Sequence, residues 1–207
     1  MLRILSVFLV INFSCGCKSL RGLSVDKFTD AFHHRIVIKH KELPKRKIDP
    51  EYLQILREFI QDARSRGVNI KPETIKKLRR IEKVNKFSVE SGPGVIASCN
   101  RYTVSESVLD DFSMAALPIQ YMTIEVLEKT LKRHASDGQG GIYKEKEKEV
   151  LYHELFHCLL NKGHLPPGEQ GIMSAVIDRS SRRALEEWDL LVDELFSPKY
   201  LNLIPDT

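Results

Sequence analysis

The sequence contains no internal repeat, no strong charge of either sign and no apolar run long enough to cross a bilayer. Its most apolar stretch, from Ile4 to Ile11, falls well short of the roughly 20 residues that a spanning helix requires. The formal net charge is only +4, so no broad field draws the chain to a polyanion. Basic runs do occur, at "KHKELPKRK" (39–47) and "KKLRR" (76–80). They come without any recognition motif and read as solvated faces and loops, so nucleic acid is not an expected partner. With 42% hydrophobic and 29% charged residues, the composition excludes a disordered or fibrous chain. At 207 residues there is room for one domain with a real core but not comfortably for two, and a monomer is expected.

The N-terminus is patterned. Arg3 precedes the apolar run, which ends in small residues and cysteine at Ser14-Cys15, the order of a signal peptide. That junction resembles the lipobox of bacterial lipoproteins, which implies removal of residues 1–14, lipidation of Cys15 and a tether over 15–34 leading to a domain over 35–207. Asn12 and Phe13 depart from the usual pattern, and cleavage before Cys17 is the other reading. The resemblance implies an exported chain whose soluble domain is held at a bacterial membrane, periplasmic or at the cell surface, by its lipid. In such an oxidising compartment Cys99 and Cys158 could form a bridge, or Cys158 could be a small buried hydrophobe on its helix; both readings stay open.

Along the chain, "RIVIKH" (35–40) reads as a strand. Asp49-Pro50 begins a helix with Tyr52, Leu53, Leu56, Phe59 and Ile60 at helical spacing, closed by Gly67. A second helix is expected after Pro72 with Ile75, Leu78 and Ile81 on one stripe. Two short strands are expected around Gly-Pro-Gly within 87–104, a helix over 119–134, and a loop over 135–141. The last helix is expected over 182–196, with Leu185, Trp188, Leu191, Val192 and Leu195 inward and Ser197-Pro198 as its stop.

The chemistry is concentrated in "LYHELFHCLLNKGHLPPGEQGIMS" (151–174). Histidines four apart share one helix face, so His153 and His157 can hold one metal ion between them. Glu154 projects about 100° round the helix from His153, placed to reach a water on that ion without binding the ion itself. Leu151, Leu155, Cys158 and Leu159 lie on the other side, free to enter a core. The alternating Lys144, Lys146, Lys148 and Glu145, Glu147, Glu149 read as a solvated face.

On a continued helix His164 would lie about 10 Å beyond His157, too far to share an ion. The chain must therefore turn, and Asn161 and Gly163 both tolerate the left-handed conformation that ends a helix. Pro166-Pro167-Gly168 blocks any helical continuation. His164 is then the candidate third ligand, or a histidine at a helix C-terminus; Glu169 is a weaker candidate.

HExxH, a third histidine after a short turn, and the methionine of "GIMS" (171–174) together resemble the metzincin clan of zinc metallopeptidases, whose long motif is HExxHxxGxxH. "YHELFHCLLNKGH", "GIMS" and the late "DELF" also resemble a group of bacterial lipoproteins classed as metallopeptidases, over roughly 95–196. The resemblance implies an α+β, zincin-like single domain with a small twisted sheet, an active-site helix, a Met-turn and a C-terminal helix. It implies Zn2+ on His153, His157 and His164, Glu154 as general base, Met173 in the Met-turn, and a peptide or protein substrate laid along "NRYTV" (100–104). The match has departures. Leu160 stands where the turn glycine belongs, His164 is one residue late, and Ala175 occupies a position where some members carry a tyrosine. Phe156 is bulky where a small residue is common, and is expected to crowd the metal face.

Two other readings accompany the zinc endopeptidase. In a gluzincin-type site, the third ligand would be Glu186 or Glu187. Alternatively, the chain would be a lipid-anchored binding or adhesion module without turnover.

Overall fold

The structure, a computed structural model, describes residues 27–29, 33–38, 43–89, 91, 95–104, 119–135, 142–175 and 186–205. The expected signal peptide, Cys15 and Cys17 lie outside these residues. The fold is mixed α+β. Its sheet is six-stranded, in the order β1-β2-β5-β6-β4-β3, from β1 (Lys27–Thr29), β2 (His33–Ile38), β3 (Lys47–Ile48), β4 (Leu78–Val84), β5 (Ala97–Val104) and β6 (Ile119–Leu127). The helices are α1 (Pro50–Ser65), α2 (Pro72–Lys77), α3 (Glu128–Ala135), α4 (Ile142–Leu160), and two more that we number α5 (Trp188–Leu195) and α6 (Pro198–Leu201).

β5 runs antiparallel to β6, which is parallel to β4, and β4 is parallel to β3. On its other edge β5 pairs in parallel with β2. Side chains alternate across a strand. Cys99 is bonded to Cys158 of α4 (Cα–Cα 5.7 Å), which sets its face of the sheet toward that helix. Ile124 lies opposite Cys99 in register, and Met122 and Val126 share its face; all are buried. α1 adds Tyr52, Leu56, Phe59 and Ala63 to the same core. The Phe59 ring meets Tyr152 of α4 edge-on at 5.2 Å and Phe196 at 5.4 Å, and Tyr152 meets Trp188 at 4.8 Å. The core thus fixes α4 from several directions.

Several elements differ from those expected. Residues 119–127 form β6, not helix, because Met122, Ile124 and Val126 alternate with Thr123 and Glu125 at period two; only 128–135 are helical. The helix after Pro72 ends at Lys77, and Leu78 begins β4. Leu78 and Ile81, three apart, are both buried because the pairing with β6 shifts register between Leu78 and Arg80, a bulge that changes the phase of the alternation. Within 87–104 there is one strand among the described residues, β5, rather than two. Residues 27–29 of the expected tether form β1, and β2 begins at His33 rather than Arg35. The last helix starts at Trp188; residues 181–185, with Leu185, lie outside those described.

The expected helix from Pro50 is present, and Gly67 follows it with φ +80°. Asp49 makes no side-chain cap; its Oδ2 instead accepts the Lys83 backbone N–H at 3.4 Å, joining α1 to β4. The charged first half of α4 is a solvated face only in part: Lys144 is exposed and Glu145 and Lys148 are half-buried. Lys146, Glu147 and Glu149 are buried. The Cys99–Cys158 alternative is resolved in favour of the bridge.

Candidate metal centre

α4 carries both ligand-type histidines through its buried half. His153, Glu154 and His157 are each no more than 6% exposed, and Phe156 turns into the core against Phe196 rather than crowding the histidines. The helix ends at Leu160, and Asn161 follows at φ +54°. Asn161 therefore supplies the left-handed step that turns the chain, where asparagine is among the few non-glycine residues that adopt it readily. Gly163, the other candidate, does not have a positive φ. In HExxHxxGxxH the turn residue and the last histidine are three apart, as are Asn161 and His164.

His164 does return to α4. The ring nitrogens of His153, His157 and His164 can all be chosen within 4.8 Å of one another. Nε2 of His153 lies 2.8 Å from Nε2 of His157 and 3.2 Å from Nε2 of His164. Ligands bonded at about 2.0–2.1 Å to a tetrahedral ion stand about 3.3 Å apart, so the His153–His164 spacing already suits a shared ion and the His153–His157 spacing is about half an ångström short of it. The far nitrogens of the helical pair are held. His153 Nδ1 donates to the Ile172 carbonyl at 2.6 Å, and His157 Nδ1 donates to the Lys162 carbonyl. Carbonyl acceptors at Nδ1 fix the tautomer with the lone pair on Nε2, the arrangement that orients metal-binding histidines.

The "GIMS" segment forms a tight turn beneath His153. The Ser174 N–H donates to Gly171 O at 3.1 Å, and Leu165 N–H donates to Met173 O at 2.9 Å, which ties this turn to the residue after His164. Met173 itself is fully buried in the core; it is Ile172 that supplies the carbonyl to His153. Gly171 is required here by close approach, since a Cβ would stand 1.7 Å from the Tyr200 hydroxyl oxygen. The terminal helix α6 thereby buttresses the turn that holds His153. Nothing in the sequence around Tyr200 signals that contact.

Glu154 is held in the interior. Burial pushes its carboxyl up to about 8, against the opposing pull of a hydrogen bond from the Cys99 backbone and of the Arg101 charge. Its Oε2 has no hydrogen-bond partner among the described residues. Arg101, on β5, also donates through Nη2 to the His157 carbonyl near the C-terminus of α4. Sequence reasoning placed Arg101 only in a substrate-binding strand and gave it no part in holding this helix. The gluzincin alternative receives no such geometry: Glu186 and Glu187 are not among the residues that cluster with the histidines. Glu169 pairs instead with Lys199 at 2.8 Å. The expectation that "NRYTV" is an open edge is corrected, because β2 pairs along β5 from Cys99 to Val104.

Comparison with protein-family models, with curated proteins and with solved structures finds no match for the chain. The functional reading rests on the site itself. His153, His157 and His164 lie close enough to bind a metal ion.

Proposed function

We propose that the protein is a zinc-dependent metallopeptidase of metzincin-like design, with His153, His157 and His164 as ligands and Glu154 as general base. The observation that carries this reading is the approach of Nε2 of His157 and of His164 to Nε2 of His153, with the helical pair pinned through Nδ1, on the helix that carries a buried carboxyl whose Oε2 has no partner among the described residues. Three imidazoles suit zinc, and three protein ligands leave a fourth position for water, which distinguishes a catalytic from a closed structural site. A bound zinc supplies Lewis acidity and brings the pKa of water at that position toward neutrality.

The rest is work for the chain. Glu154 takes the proton of the attacking water and delivers it to the departing amine. Burial raises its proton affinity, which favours holding a proton between the two transfers. His153 and His157 keep their tautomers through Ile172 and Lys162, and the Cys99–Cys158 bridge ties the helix to β5. That bridge also supports the exported, lipid-anchored reading, since disulfides persist in oxidising compartments. Metabolic palmitate labelling of wild type but not Cys15→Ser checks the anchor, and label retained in that variant counts against Cys15.

The test of the activity is Glu154→Gln in the zinc-loaded full chain, assayed on casein. Hydrolysis should be lost with zinc content unchanged; activity surviving the change would refute the assignment.

A further inference from the structure

The strand beside the metal helix is already taken. β5 carries Cys99, bonded to α4, and Arg101, which donates to the His157 carbonyl. One edge of β5 is closed by β6, in the middle of the sheet. The other edge is covered over six residue pairs, from His33↔Cys99 to Ile38↔Val104, by the chain's own β2. A peptide that adds to the sheet beside the candidate metal centre must use that same edge, because main-chain pairing needs a row of free N–H and C=O groups.

The two neighbours of β5 are held very differently. β6 lies between β5 and β4 and packs on α2, α3 and α4. β2 has β5 on one side and only the three-residue β1 on the other, and among the described elements no helix packs extensively on either. A pair of edge strands on which no described helix packs extensively belongs, among the described elements, to the low-stability end of the structure, where local opening is easiest. β2 is also parallel to β5, whereas β6 is antiparallel.

We infer that β2, with β1 at its outer edge, is an intramolecular occupant of the peptide-binding edge of β5, a displaceable strand that must leave before a peptide substrate can pair there. The identity of the incoming strand rests on the peptidase reading; the displaceability of the hairpin does not.

The experiment compares the zinc-loaded full chain with Ile36→Pro/Val37→Pro. Consecutive strand residues point their N–H groups to opposite sides, so one proline of the pair removes a donor toward β5 whichever way the strand is turned. Amide exchange over 97–104 should become about tenfold faster in the variant, and a synthetic peptide of residues 27–38 added in trans should restore protection. Casein cleavage should rise at least about threefold at unchanged zinc content and be inhibited by the same peptide. Unchanged exchange over 97–104, failure of the peptide to restore protection, or cleavage that does not rise once the strand is shown to be released would each overturn the inference. If the variant loses its zinc, a specific protease site inserted at residues 39–42 and cut in the folded protein releases the hairpin instead, with the same readouts. Absence of casein cleavage by every form would count against the peptidase reading, while the exchange result would still decide whether the strand is displaceable.

Discussion

The two halves of α4 bury polar groups in opposite ways. In the first half the buried residues Lys146, Glu147 and Glu149 have partners supplied by the chain, although Glu145 Oε2 has none among the described residues: Lys146 Nζ is 3.2 Å from Glu149 Oε2, and Glu147 Oε1 takes the Tyr52 hydroxyl at 2.8 Å and Lys83 Nζ at 3.1 Å. Burial disfavours the Lys83 ammonium, yet its bonds to Glu51 and Glu147 hold its pKa above the usual value. In the second half the ring nitrogens face one another, Nε2 of His153 lying close to Nε2 of buried His157 and of half-buried His164, and Glu154 Oε2 has no hydrogen-bond partner among the described residues. Polar groups are costly to bury without compensation. Lys146, Glu147 and Glu149 have their compensation inside the fold; the second half instead brings three imidazoles close enough to bind a metal ion. One helix thus shows the difference between a structural polar network and a site.

Breaking the second half should have the largest effect on function. Glu154→Gln is expected to lower hydrolysis by about 10²–10⁴-fold, the span of general-base catalysis, with zinc retained and thermal stability little changed, as read by casein turnover and metal analysis. Breaking the first half should affect stability alone. Lys146→Met strands the Glu149 carboxylate in the core and should cost about 3–5 kcal/mol in a denaturant titration, while the folded variant still binds zinc.

The contrast can also be sharpened by pH. Glu154 has a raised carboxyl pKa in the folded chain, about 8 against 4.5 for the free group. The folded state favours its neutral form, so that contribution to the stability of the metal-free protein is fully present below the unfolded pKa. It is lost as pH rises through the folded one. Metal-free protein should therefore lose stability between pH 5 and 8 (bounds of about 4.5 and 8), and Glu154→Gln should remove that slope. Zinc, whose charge favours the carboxylate, should reduce it as well. The smallest effect belongs to Glu186→Ala and Glu187→Ala, each expected to change stability by under about 0.5 kcal/mol and zinc content not at all; loss of zinc in either would restore the gluzincin alternative.

What could be read from the sequence divides along the same lines. The second half of α4 was legible because metal chemistry imposes local spacing: helical histidines four apart, a neighbouring glutamate and a turn before the candidate third ligand. The first half was not, since its alternation of Lys and Glu has the i,i+3 and i,i+4 pattern of an exposed face. Only Tyr52 and Lys83, far away in sequence, show that it is buried. β6 was misread as helix because Ile119, Met122, Val126 and Leu127 fall at helical intervals, while the tertiary fold follows the period-two set Met122, Ile124 and Val126 instead. β4 was concealed by its bulge. The turn at Asn161 was anticipated as one of two residues, and the structure selects the one that keeps His164 in step with the helix end. Among the described helices none is long and apolar enough to cross a membrane.

The most direct test of the central claim is X-ray absorption spectroscopy of the zinc-loaded full chain. Three imidazole nitrogens and one light oxygen donor at about 2.0–2.1 Å are expected, with one imidazole lost in His164→Ala. A carboxylate from the protein in place of the third imidazole, a spectrum unchanged in His164→Ala, or failure to bind zinc at all would contradict the site described.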